Sequence, residues 1–112
     1  MKRVDVARDF HNRLTNRNSL QGDGNYTAEA FRRKFLGFLD SDVAWSNSAP
    51  AIVLDFEGVV KIGPSFANEA FAYFTKYAKP DAVLRKILIS NASSVQLMII
   101  KEELNAGYFK LR

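Results

Sequence analysis

The chain is predicted to fold as an α/β domain, a small mixed sheet with helices packed on it, and three observations carry that reading. A short apolar run, Ile52-Val53-Leu54, stands between Pro50 and Asp55 as a buried central strand does. Gly63 and Pro64 then break the chain, and two adjoining apolar rows follow at helical spacing: Phe66, Ala70, Tyr73 and Tyr77 beside Ala67, Phe71, Phe74 and Ala78. Finally, strand and helix patterns alternate along the chain as strand, helix, strand, helix, strand, helix, strand. A length of 112 residues suits one domain, spanning 1–112, that buries about two thirds of its unfolded surface.

In chain order, Lys2 to Val6 alternates polar and apolar residues with Val4 and Val6 inward, a short strand at or near the sheet edge. Ala7 to Leu14 places Phe10 and Leu14 four apart, enough for one or two helical turns. Thr15 to Tyr26 lacks apolar periodicity and holds the turn Gly22-Asp23-Gly24-Asn25, so it reads as a loop of a length more often functional than idle. Thr27 caps a helix running to about Leu39, with Glu29 in its first turn and paired with Arg33. Ala28, Phe31, Phe35, Phe38 and Leu39 form its buried stripe, and Gly37 reads as a close helix-to-sheet approach. The acids of Asp40-Ser41-Asp42 stop it, and Val43 to Pro50 is a connection with Trp45 at the core edge.

The central helix, 65–78, is capped either by Ser65 or by Gly63 with Pro64 at the first helical position. Phe71 is expected to be almost fully buried, with Asn68, Glu69, Thr75 and Lys76 on the opposite, outer side. Lys79-Pro80-Asp81 ends this helix, and Leu84 to Ile89 reads as a further strand. Asn91 to Ser94 caps a last helix over Val95 to Leu104, Asn105-Ala106-Gly107 forms its exit, and Tyr108 to Leu111 alternates as a short terminal strand.

Composition narrows the function classes. With 47% hydrophobic and 25% charged residues the chain is an ordinary globular protein. No cysteine is present, which excludes disulfides, thiolate chemistry and zinc-cysteine sites. The longest uncharged stretch, Ile87 to Ile100, is interrupted by serines and Asn91 and is too short to span a bilayer, and no secretory signal pattern opens the chain, so a cytoplasmic location is expected. The net charge is +4, but residues 1–42 and 43–112 each hold eight basic and six acidic side chains. There is no basic tail, and Arg32-Arg33-Lys34 reads as a solvated helix face, so nucleic acid is not the expected partner.

The block IVLDFEGVV, followed after three residues by PSFANEAFAYF, resembles the hallmark segment of the STAS-like α/β domains. That prokaryotic family, of unknown function, is related in fold to sulfate-transporter and anti-sigma-factor-antagonist domains. Asp55, Phe56, Ser65, Phe66, Glu69, Ala70 and Phe71 carry the likeness, and Arg17, Gly24 and Phe31-Arg32 look like the family's Arg, Gly and Phe-Arg positions upstream. The resemblance implies a STAS-like fold and a regulatory, protein-interaction style of action without enzymatic activity or cofactor. By likeness to antagonist domains, the implied partner is a histidine-kinase-like ATP-binding protein, and the contact is the strand-to-helix turn at 63–69 with Ser65, Asn68, Glu69 and Arg17. In antagonists a serine at this turn, within Asp-Ser-Ser-Gly, is phosphorylated. Here the aligned residues are Gly63-Pro64-Ser65-Phe66, so Ser65 neighbours that position and is the candidate phosphorylation site.

Other chemistry finds little to use. His11 is the only histidine and has no nucleophile motif around it. Asp55, Glu57 and Glu69 are a possible magnesium trio, but an Asp closing a strand more often binds amides of the next turn, and no metal is expected. No phosphate-binding loop or Gly-x-Gly-x-x-Gly occurs. The alternative function is a nucleic-acid-binding module using Arg13, Arg17, Arg32, Arg33 and Lys34.

Overall fold

The computed structural model describes residues 1–17 and 26–110. The elements are β1 (Lys2–Asp5), α1 (Val6–Asp9), β2 (Arg13–Leu14), α2 (Ala28–Leu36), β3 (Ile52–Asp55), β4 (Lys61–Ile62), α3 (Pro64–Ala70), α4 (Pro80–Lys86), β5 (Ile87–Ser90) and α5 (Ser94–Lys110). Tight 3-10 turns occupy Gly37–Leu39, Val43–Trp45 and Ala72–Lys76. β3 lies between β1 and β5 and runs parallel to both, with Val4 and Ile89 flanking Leu54. Its apolar run thus takes the central position it predicts, and β1 is an edge. A parallel sheet needs cover on its faces. Val4, Ile52, Leu54 and Ile87 are accordingly buried in one core with Phe31, Phe66, Phe71 and Phe74.

Where a mixed sheet is expected, every described strand pair is parallel. β2 and β4 form a separate ladder, Arg13 to Lys61 and Leu14 to Ile62, too short to leave a period in the sequence. The helical turns expected over 7–14 end at Asp9, and Leu14 enters β2 as a buried residue. Phe10 reaches the core from beyond the helix, its ring 5.1 Å from Phe31. Of the loop expected over 15–26, residues 18–25 lie outside the described residues, and Asn16 forms a parallel bridge to Thr27.

α2 starts as predicted, with the Thr27 hydroxyl accepting from the Ala30 amide at 3.1 Å. It tightens after Leu36 into three residues per turn, which rotates the stripe. Leu36 takes the buried place expected for Phe38, which is 44% exposed. Gly37 has nothing within 4 Å of where a Cβ would stand, so no close approach exists there. Trp45 sits at the core edge as expected, its Nε1 donating to the Leu39 carbonyl at 2.7 Å and its ring stacked on Tyr77.

Gly63 is the cap of α3 and Pro64 its first residue, which decides between the two alternatives. The helix expected over 65–78 ends at Ala70. Within the 3-10 turn that follows, the Thr75 hydroxyl donates to the Ala72 carbonyl at 2.6 Å, a back-bond that bends helices and buries a residue expected on the outer side. The apolar rows hold through the break: Phe66, Ala67, Ala70, Phe71 and Phe74 are buried, and Tyr73, Tyr77 and Ala78 half-buried.

Lys79-Pro80-Asp81 opens α4 rather than closing a helix, so Leu84 to Lys86 are helical and the strand begins at Ile87. α5 begins with a capping box in which the Ser93 hydroxyl accepts from the Gln96 amide and the Gln96 side chain accepts from the Ser93 amide. It runs through the exit expected at 105–107 to Lys110, so residues 108–110 are helix and not strand, and Leu111 lies outside the described residues. The close approach belongs to Gly107, where an added Cβ would stand 2.7 Å from that of Ala72. Among the described residues no helix is long and apolar enough to cross a membrane.

Candidate functional site

The residues that the sequence marks around 63–69 converge on one polar network between α2 and α3. Arg17 is positioned by its backbone, whose carbonyl accepts from the Glu29 amide in the first turn of α2, while the neighbouring Asn16 carbonyl accepts from Ala28. From there its Nη1 donates to the Asn68 side chain at 3.0 Å and lies 3.8 Å from Glu69. Asn68 and Glu69 are three and four residues beyond Ser65, so all three share a face of α3. Ser65 itself is the second residue of α3, half-buried, and not the cap. With only seven residues in α3, little helix dipole stands behind it.

The residue that completes the network is Arg32, expected on a solvated face and found 7% exposed. Its Nη2 and Nε donate to Glu69 at 2.9 and 3.3 Å, and its guanidinium lies 3.7 Å over the Tyr73 ring. The Lys76 ammonium is also 3.7 Å from that ring's centre. Taking a guanidinium out of water carries a desolvation cost, and pairing with Glu69 and the ring offsets it. Tyr73 and Tyr77 both donate to Asp40, at 2.8 and 2.6 Å. These two hydroxyls, Tyr77's first, hold the Asp40 carboxyl below its usual range, and Asp40 in turn pushes the Tyr77 phenol up to about 12.

Arg32 was within reach of sequence reasoning. It stands four residues after Ala28 and directly after Phe31, inside the buried stripe, and the pair Phe31-Arg32 carries part of the resemblance. Asp40, Tyr73 and Tyr77 join only through the 3-10 turns, which leave no pattern. Beside Asn68 and Glu69 a groove of about 220 Å³ opens between the Ala72–Lys76 turn and the end of α5, lined also by Tyr73, Gly107 and Lys110.

The other candidates fall elsewhere. Asp55 accepts from the Glu57 amide at 2.9 Å, from Asn91 at 2.9 Å and from Arg3 at 2.8 Å, tying β1, β3 and the end of β5 together. These bonds, Asn91's above all, hold its carboxyl below the ordinary range. This is the turn-binding role expected of it. Glu69 is committed to Arg32, so the trio with Asp55 and Glu57 is not assembled. His11 closes a local turn, its Nδ1 accepting from the Arg13 amide at 2.9 Å. Of the basic residues in the nucleic-acid alternative, Arg32 is buried, Arg17 is held on α3, and Arg33 lies 3.6 Å from Glu29.

A central parallel strand with helices packed against its sheet makes this a small α/β domain. The chain belongs to the family described as STAS-like domain of unknown function, whose model matches residues 28–97. That stretch contains Arg32, Asp40, Ser65, Asn68, Glu69 and Tyr73, while Arg17 precedes it. Comparison with curated proteins gives no match, and comparison with solved structures gives none.

Proposed function

We propose that this chain is a non-enzymatic regulatory module of the cytoplasm, acting as a single domain without a cofactor, that binds another protein through the face of α3 carrying Ser65, Asn68 and Glu69. The observation that carries the reading is the Arg17–Asn68–Glu69–Arg32 network, with Arg17 3.0 Å from Asn68 and Arg32 2.9 Å from Glu69. Polar side chains held in place before binding lose little freedom on binding, which favours a recognition surface. By its resemblance to anti-sigma-factor antagonists, the partner class is a histidine-kinase-like ATP-binding protein, and Ser65 is the residue such a kinase would modify.

Binding and stability of Ser65→Ala and Ser65→Glu, measured against a histidine-kinase-like protein that co-purifies with the wild type, test this. Because Ser65 is not a cap, Ser65→Ala is expected to shift stability by no more than about 0.5 kcal/mol and to keep binding. Ser65→Glu is expected to fold normally and lose the partner, since it adds charge and bulk at the centre of the face. Full binding by the Glu variant would move the interface away from α3.

A further inference from the structure

Among the described residues two cations are buried, and they are balanced differently. Arg32 faces the Glu69 carboxylate at 2.9 Å. Lys86 is 4% exposed, yet its ammonium donates to neutral oxygens, the Asn47 carbonyl at 2.8 Å and the Asn47 side chain at 3.0 Å. No carboxylate of the described residues pairs with it. A charge taken out of water without an opposite charge beside it is costly. Lys86 ends α4, but a helix of seven residues offsets little of that cost through its dipole.

The same ammonium lines a cleft of about 490 Å³ between the 43–50 connection and α4, a volume that takes a small molecule. Arg85 lines it too, exposed and likewise without an ion pair among the described residues. Ser48 adds a hydroxyl, Trp45, Ala78 and Ala82 add apolar wall, and no acid is among the lining residues. The Asn47 side chain also accepts from the Ala49 amide at 3.0 Å, so the loop that meets Lys86 is held in shape before anything binds.

We propose that this cleft binds the phosphate group of a small phosphorylated molecule, with Lys86 and Arg85 as its counter-ions. The charge count selects phosphate. Two cations and no acid line the cleft, and a phosphate monoester carries about −1.5 to −2 charge at neutral pH, where a carboxylate carries one. The lysine supplies a compact point charge, and the arginine a planar fork that matches two phosphate oxygens. The Ser48 hydroxyl is a further donor. A phosphate alone does not fill about 490 Å³, so the carbon part of the ligand lies against Trp45, Ala78 and Ala82. The site is separate from the α3 face, and it stands or falls independently of the protein-binding reading.

Trp45 is the only tryptophan, so its emission reports on this cleft. The test titrates the full chain with inorganic phosphate, with phenyl phosphate and with sodium chloride at matched ionic strength. Phosphate is expected to give a saturable change in emission, and phenyl phosphate to bind more tightly, with a Kd below about 1 mM. Arg85→Glu, at an exposed position, should keep native helix content by circular dichroism and weaken both ligands at least about tenfold. Lys86→Met should weaken them as much while preserving the length of the side chain. If Lys86→Met loses helix content, Arg85→Glu decides alone. A response to phosphate that chloride reproduces overturns the proposal. So does an Arg85→Glu variant that binds phenyl phosphate as the wild type does, or a wild type that shows no saturable response to either phosphate.

Discussion

Asp40 and Tyr77 share one hydrogen bond of 2.6 Å, and it makes the stability of this corner depend on pH at both ends of the scale. Tyr77 carries a folded value of about 12 against an unfolded one of about 10. Its contribution is therefore complete below pH of about 10 and is lost as pH rises toward the folded value. Asp40 is shifted down, so its contribution is present above an unfolded value of about 3.9 and is lost as pH falls through the folded one. Phenolate absorbance is expected to show one of the four tyrosines titrating near 12, and Asp40→Asn should return it toward about 10. A single transition of all four near the ordinary value would contradict the bond. At this scale the sequence was legible for Thr27, Trp45, Asp55 and Phe71, whose roles follow from their immediate neighbours. It was silent on Asp40, whose two partners stand 33 and 37 positions away.

Two glycines in helical backbone carry opposite expectations at the scale of elements. At Gly37 there is open space, and the backbone φ of −60° suits any residue. Gly37→Ala is expected to stabilise by about 0.4 to 1 kcal/mol, by removing freedom from the unfolded chain. At Gly107 a methyl group would meet the Ala72 Cβ at 2.7 Å. Gly107→Ala is therefore expected to destabilise by about 1 to 3 kcal/mol despite alanine's helix preference, and denaturant midpoints of both variants check the pair. The sequence pattern suggested the reverse assignment, since a glycine inside an apolar stripe looks like a packing site and one near a chain end looks like a stop. Lys79-Pro80-Asp81 misleads for a related reason. Proline is excluded from helix interiors but fits the first turn, so it marks an end or a beginning equally. Here Asp81 in the first turn and Arg85 and Lys86 in the last match a helix that starts at Pro80.

For the whole molecule, the core is where sequence and structure agree most closely, because burial of large side chains fixes the fold class before any turn is known. Phe71 is 0% exposed and lies 6.4 Å from the Phe31 ring, joining α2 to the segment after β3. Phe71→Ala is expected to lower stability by about 3 to 5 kcal/mol, a large share of what a domain of this length possesses. An unchanged denaturant midpoint would show that α2 and α3 do not share one core. The parallel pairings have a consequence for the order in which the molecule can be assembled. Lys2 pairs with Ile52, Arg13 with Lys61, and Ile52 with Ile87, so none of the described strands finds its partner in the next stretch of chain. Each ladder must close a loop of 35 to 50 positions before its hydrogen bonds form. Refolding should accordingly be slower than in helical bundles of the same length. On the ribosome, the first strand to emerge stays an open edge until the third has been synthesised, a window in which it can pair with the wrong chain.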